Sequence, residues 1–424
     1  MLYVGILIFI AVFYCIITEK IPSAWATMAG GLLMTLIGII NQEEVLETVY
    51  NRLEILFLLV GMMMIVLLIS ETGVFQWFAI KVAQLVRGEP FKLIILLACV
   101  TALCSAFLDN VTTILLMAPV SILLAKQLKL DPFPFVITEV MSANIGGLAT
   151  LIGDPTQLII GAEGKLTFNE FLANTAPVAI LSMIALLATV YFMYAKNMKV
   201  SNELKAKIME LDSSRSLKDM KLLKQSIVIF SLVILGFILN NFVDKGLAMI
   251  ALSGAVCLSL LAKKSPKEMF EGVEWETLFF FIGLFMMIKG IENLDIIKFI
   301  GDKMIAITEG HFGGAVLSTM WISALFTSVI GNVANAATFS KIVNIMTPSF
   351  AGVGGIKALW WALSFGSCLG GNLSILGSAT NVVAVGAADK AGCKIKFVQF
   401  LKFGGIIAIE NLIIASIYVY FRYL

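Results

Sequence analysis

"SAFLDNVTTILLMAP", residues 105–119, is the stretch whose reading decides the fold. Residues 94–108 are apolar but for Thr101 and Ser105, and then Asp109 and Asn110 interrupt the run. The segment around them, 93–128, is too long for one crossing of about 20 residues and is polar at its centre. That pattern predicts a helix–turn–helix hairpin that enters and leaves on one face, with Asp109 and Asn110 at its tip. Non-helical backbone at membrane depth is tolerated only where protein or a water-filled cavity covers it.

The composition agrees. Of 424 residues, 59% are hydrophobic and 14% charged, more apolar surface than a soluble domain can bury, so lipid must cover part of it. A net charge of +2 gives no reason to expect a nucleic-acid partner. The six cysteines form no CxxC pair and read as small apolar packing residues. Cys99, Cys104 and Cys368 lie near the chain breaks in sequence, but nothing in the sequence brings them together. The single histidine, His311, has no clustered acid or thiol with which to build a zinc site. No cofactor is expected beyond a coupling ion, Na⁺ or H⁺.

Single spans are predicted at 2–18, 22–40, 53–71, 175–195, 225–241, 246–262, 275–290 and 399–421. The first lacks the basic start and small-residue cleavage site of a removable signal, and reads as a true span. Segments 133–160 and 358–387 are long, glycine-rich and polar in the middle, which marks broken spans, and 312–347 is a second hairpin. The one long polar stretch, 196–224, carries eight Lys/Arg against four acids. Basic loops stay in the cytoplasm. This orientation also puts Lys20, Lys81, Arg87, Lys126, Lys264 and Lys390 inside, and the acidic "NQEEVLETVYNR" (41–52) outside.

The halves on either side of that linker are similar. "LEILFLLVG" at 53–61 matches "WETLFFFIG" at 275–283, and "SAFLDNVTT" at 105–113 matches "TSVIGNVAN" at 327–335, both offset by 222 residues. "IGGLATLIGDPTQ" at 145–157 matches "LGGNLSILGSATN" at 369–381, offset by 224. The expected fold is an all-α polytopic membrane protein of two inverted repeats. Each has about five spanning helices plus one re-entrant hairpin, with broken helices at the site. The expected organisation is 1–195 first repeat, 196–224 cytoplasmic linker and 225–424 second repeat, multi-pass in the plasma (inner) membrane. Interrupted helices at matching places in two inverted halves point to a transporter site.

The polar residues of those breaks form the candidate site. Asp109, Asn110, Thr112 and Thr113 stand at the first tip, and Asn144, Gly153, Asp154, Pro155 and Thr156 in the first break. Asn332, Asn335, Ser378, Thr380 and Asn381 stand at the matching places of the second half. Carboxylates, hydroxyls, amide oxygens and freed carbonyls suit a hard cation, so Asp109, Asn110 and Asp154 are candidate Na⁺ ligands. Buried acids also trade protons for cations. The bland alternative makes Asp109 a helix cap and Asp154 a turn residue before Pro155. The second half carries Gly331 for Asp109 and Ser378 for Asp154, so the site is expected to be lopsided.

Other charges read more plainly. Lys341, nine residues beyond Asn332 or roughly 13 Å along a helix, is expected to snorkel to an interface; the sharper alternative is a tethered cation near the site. Glu54 and Glu276 open helices and complement their dipoles. Glu139 is interfacial or a proton relay, and Glu410 packs or pairs within the last span. The "GMMMIVLL" cluster reads as lipid-facing or core filler rather than a metal site. Helices at 74–86 and 294–307 look amphipathic.

"SAFLDNVTTILLMAPV" followed by "ANIGGLATLIGDPTQLII" resembles the arsenite permease and Na⁺/H⁺ antiporter (ArsB/NhaD) family, and most of all its P-protein-like permeases, across nearly the whole chain. These belong to the ion transporter superfamily with citrate-transporter-like domains. The resemblance implies a scaffold and a moving transport body, often homodimeric, working by elevator-like alternating access. It also implies hairpin tips that bind sodium and carboxylate, where Asp109-Asn110 and Gly331-Asn332 stand here. The family usually carries Asp-Asn at the second tip and GDPPN in the first break, whereas this chain has Gly331-Asn332 and Thr156-Gln157. The expectation is a secondary Na⁺/H⁺ antiporter, not an enzyme. The alternative is an arsenite, antimonite or organic-anion permease coupled to Na⁺ or H⁺. Either takes a small inorganic ion or small anion through a lipid bilayer.

Overall fold

The computed structural model describes residues 1–424 except 19, 211, 244 and 354. Every regular element among the described residues is helical. The first half contains α1 (Leu2–Thr18), α2 (Ser23–Leu36), α3 (Gln42–Tyr50), α4 (Leu53–Glu71), α5 (Val74–Leu85), α6 (Pro90–Ser105), α7 (Asn110–Gln127), α8 (Phe133–Leu148), α9 (Pro155–Gly164), α10 (Phe168–Asn174) and α11 (Ala176–Tyr194). The linker carries α12 (Asn202–Met209). The second half contains α13 (Met220–Val243), α14 (Leu247–Leu261), α15 (Pro266–Glu271), α16 (Trp275–Asn293), α17 (Ile296–Ile307), α18 (Phe312–Ile330), α19 (Asn332–Met346), α20 (Ala358–Gly370), α21 (Ala379–Lys390) and α22 (Phe397–Tyr423).

The expected elements are present. Both hairpins form, α6–α7 around Asp109 and α18–α19 around Gly331, and both long polar segments break, α8–α9 and α20–α21. Among the described residues, α4, α7, α11, α13, α18 and α22 are long and apolar enough to cross a membrane. Helix α16 meets α17 at a 69° bend. Many large apolar side chains on α1, α11, α13 and α22 are exposed, as a lipid-facing surface requires. The short helices carry polar starts: Asn41 with Glu44, Thr167 with Glu170 and Ser265 with Glu268 each close a capping box. The largest shifts in boundary are at α2, which ends at Leu36 against an expected 40, and at α13, which starts at Met220, inside the expected linker. Its first turn is amphipathic, with Lys221 and Lys224 exposed and Leu222 and Leu223 buried, so the helix runs past the apolar run.

The halves interlock. Helix α2 packs along α16 as α14 packs along α4; α6 lies on α8 as α18 lies on α20; α9 meets α19 as α21 meets α7. Exchanging the halves therefore maps contact onto contact. Gly61 and Gly283, which end the matched stretches at 53–61 and 275–283, sit where backbones touch. A Cβ on Gly61 would meet the backbone of Ala251–Leu252, and one on Gly283 that of Thr27–Met28. Helices α2 and α16 run side by side in one direction: Thr27 Oγ1 donates to the Phe280 carbonyl near their starts, and Asn293 Nδ2 to the Ile39 carbonyl near their ends. In space α1–α4 group with α13–α16, and α6–α11 with α18–α22. The two groups meet mainly through α4 on α9 and α16 on α19.

Candidate functional site

Four helix N-termini, those of α7, α9, α19 and α21, supply the walls of one cavity of about 750 Å³. Two of these starts are set by the residue at the break. Pro155 fits the first position of α9 and lacks the amide an interior helical residue needs. Gly331 precedes α19 with φ 86° and ψ 153°, a conformation that costs any residue with a Cβ.

Both caps in the first half are carboxylates. Asp109 accepts from the amides of Val111 (3.1 Å) and Thr112 (2.8 Å) and from Thr112 Oγ1 (2.5 Å). Asp154 accepts from the Thr156 amide at 2.7 Å. In the second half neither Gly331 nor Ser378 caps its helix through a side chain. Asn332 Oδ1 instead accepts from the Val333 amide at 3.0 Å, and the first amides of α21 have no side-chain cap.

Asp154 is the centre of the arrangement. It is 1% exposed, and the asparagines of both hairpin tips donate to it, Asn110 Nδ2 at 2.6 Å and Asn332 Nδ2 at 3.0 Å. Cys368 Sγ lies 3.6 Å from the same carboxylate. Among the described residues no lysine, arginine or histidine pairs with Asp154. A buried carboxylate held only by neutral donors is a high-cost arrangement, met here by aiming dipoles at it. Ser105 Oγ, 2.5 Å from Asn110 Oδ1 and 2.8 Å from the Ala143 carbonyl, fixes which way the Asn110 amide faces.

The expected site residues divide into two layers. Asp109, Asn110, Asp154, Pro155, Asn332, Ser378 and Thr380 line the cavity. Thr112, Thr113, Asn144, Gly153, Thr156, Asn335 and Asn381 do not line it. Several of these staple the breaks. Asn144 Nδ2 donates to Asn372 Oδ1 (2.8 Å) and Asn381 Oδ1 (2.9 Å), and Ser378 Oγ donates to Asn144 Oδ1 at 3.2 Å. Asn381 Nδ2 closes the second break onto the carbonyls of Gly371 and Ser374, both at 2.8 Å. Asn335 Nδ2 ties the second hairpin to Ser367 (2.8 Å) on α20.

Other readings sharpen or change. Lys341 is a tethered cation with a fixed partner: its ammonium lies 3.2 Å from Glu163 at the end of α9. Glu139 is 1% exposed within α8 and accepts from Ser121 Oγ at 2.5 Å. Glu410 pairs with Thr189 at 2.8 Å. Cys368 reaches the site, whereas Cys99 and Cys104 do not line the cavity. Sequence reasoning missed Glu274, and placed Cys368 near a break without bringing it to Asp154. Glu274 lines the cavity beside Asp109, and the 222-residue offset already sets it opposite Arg52.

The profile of the family described as "Citrate transporter" matches residues 13–366. The "46 kDa membrane protein" of Mycobacterium leprae is 34% identical over 99% of this chain and 99% of that protein. The human "P protein" is 30% identical over 93% of this chain, which spans 56% of that longer protein. The Alcanivorax borkumensis YdaH transporter has the same fold, with TM-score 0.61 over 94% of this chain and 96% of that one at 12% identity. A multi-pass helical bundle with two hairpins and two broken helices around one cavity is thus a transporter rather than an enzyme, and the chain belongs to the citrate transporter family of membrane proteins.

Proposed function

We propose that the protein is a secondary transporter exchanging Na⁺ for H⁺ across the membrane by alternating access. The carrying observation is the charge of the cavity wall. Asp109, Asp154, Glu274 and Glu276 line it, and among the described residues no lysine, arginine or histidine does. A low-dielectric cleft lined by one sign of charge concentrates the opposite sign. In this reading Asp154 is the exchanging carboxylate, and Asn110 and Asn332 hold it whether Na⁺ or a proton neutralises it. Asp109 and Glu274 raise the local cation concentration. The two halves act as inverted repeats, and the α6–α11 and α18–α22 group moves against the α1–α4 and α13–α16 group. Reconstituted protein with an internal pH dye tests this: a Na⁺ gradient should drive proton movement, and folded protein that moves no protons on Na⁺ addition rejects it.

A second reading, an organic-anion permease of the kind the family's description names, is favoured by the first amides of α21, which meet the cavity without a side-chain cap. Saturable uptake of labelled citrate by the same vesicles, without Na⁺-driven proton flux, would select it. An arsenite route through a thiol cluster lacks support, since Cys368 is the one cysteine found beside Asp154.

A further inference from the structure

We propose that Arg52, Glu163 and Lys341 form an ionic latch, which fastens the side of the protein away from the cavity mouth and must open once in each transport cycle. The inference rests on the alternating-access reading above but not on which solute is carried. Glu163 stands in the last turn of α9. Its carboxylate takes the Arg52 guanidinium on one oxygen. Its other oxygen takes Lys341 Nζ at 3.2 Å and Asn344 Nδ2 at 3.1 Å. Side-chain exposures of 12% for Arg52 and 14% for Glu163 set the pair apart from the surface bridges of the chain. The Arg52 guanidinium also lies over the Phe285 ring, 4.6 Å from its centroid.

Two arguments make this a latch rather than a static brace. The first is placement. Arg52 and Phe285 belong to the α1–α4 and α13–α16 group, whereas Glu163, Lys341 and Asn344 belong to the other. Helices α9 and α19 both start at the cavity wall and run on for eight and nine residues, roughly 12–13 Å, before they carry Glu163 and Lys341 to the cluster. The cavity is lined instead by the end of α1 and the starts of α2 and α16, and it opens where Ile21 and Trp275 are exposed.

The second argument is the missing twin. Under the repeat offsets Arg52 corresponds to Glu274, Phe285 to Met63, Glu163 to Ala387 and Lys341 to Pro119. Glu274 and Met63 line the open cavity. When the mouth closes and the far side opens, no equivalent ion cluster forms in exchange. The latch therefore weights one end of the cycle, and removing one member leaves a shielded charge without its partner.

Hydrogen–deuterium exchange of the full-length protein in lipid nanodiscs tests this without cargo. In Arg52→Ala and Glu163→Gln, exchange should quicken roughly tenfold at residues 49–53 and 160–166 and slow at 20–24 and 273–278. Arg52→Lys, which keeps the charge, should lie near wild type. If both sides quicken together, or neither changes, the latch is refuted. Should Arg52→Ala not fold, Lys341→Gln must give the same opposite-signed shift in smaller measure, and a uniform response from it refutes the latch as well. Loss of Na⁺-driven flux in wild type would reject the cargo while leaving this result intact. Unchanged exchange beside normal flux would reject the latch alone.

Discussion

The two halves build matching hairpins and breaks and end them differently at the cavity. In the first half aspartates cap α7 and α9, so charge enters the site as side chain. In the second half a left-handed glycine and a serine precede α19 and α21, and what enters is an asparagine amide and bare backbone. One scaffold thus presents an acidic half-site and a neutral half-site to one cavity. Exchanging a charged group for backbone at a helix start changes the chemistry without moving the helix, because the break is set by Pro155 and Gly331 rather than by the cap.

The sharpest way to break this comparison is Asp154→Asn. The helix keeps a capping residue, but the two asparagine amides lose the charge they point at. A cation at the site loses its charged ligand, worth roughly 3 kcal/mol at an effective dielectric of about 20, so cation affinity should fall about a hundredfold. The Na⁺ dependence of flux reads this, and an unchanged half-saturation would remove Asp154 from the site. Next comes Gly331→Ala. With φ 86° the new side chain is strained, costing about 2 kcal/mol, and the protein should melt earlier by fluorescence in detergent. A melting point equal to wild type would show that the second tip does not depend on its glycine. Asp109→Asn should be milder. Asparagine caps α7 as well as aspartate does, so the loss is one wall charge, on the order of 1 kcal/mol or roughly fivefold in affinity. If it matches Asp154→Asn, the two acids act as one unit and the division between centre and wall fails.

The smallest expected effect lies outside the site. Lys205 in the linker donates to Glu89 at the start of α6 at 2.5 Å, and this bond holds the Glu89 carboxyl below its ordinary range. A lowered folded value means the pairing stabilises at neutral pH and is lost as pH falls through that value. Limited proteolysis of residues 198–212 should quicken in acid. Lys205→Ala should show the quicker rate at neutral pH too, and pH-independent cleavage in wild type would dissociate the linker from Glu89.

The helices, hairpins and breaks were legible because each leaves a local mark. Hydropathy gives the spans, Asp109-Asn110 and Gly331-Asn332 the tips, and Gly153-Asp154-Pro155 the first break. The lopsided site was legible from the two offsets alone. What was hidden depends on residues far apart in the chain. Arg52 finds Glu163 across 111 residues, and Asn144 finds Asn381 across 237, with no pattern to announce either pair. Lys341 was legible as a charge nine residues beyond the tip, but its partner was not, because only the packing of α19 on α9 brings it to Glu163. Cys368 lay close to a break in sequence, but its meeting with Asp154 needs the other half.

The seams at Gly61 and Gly283 carry one more consequence. Each lies between halves, α4 against α14 and α16 against α2, as do the contacts of α7 with α21 and α9 with α19. The molecule is built like a tightly wound heterodimer whose two subunits happen to share one peptide chain. Severed in the linker, each piece would keep its own hairpin packed on its broken helix, α6 on α8 or α18 on α20, but lose the partner across these seams.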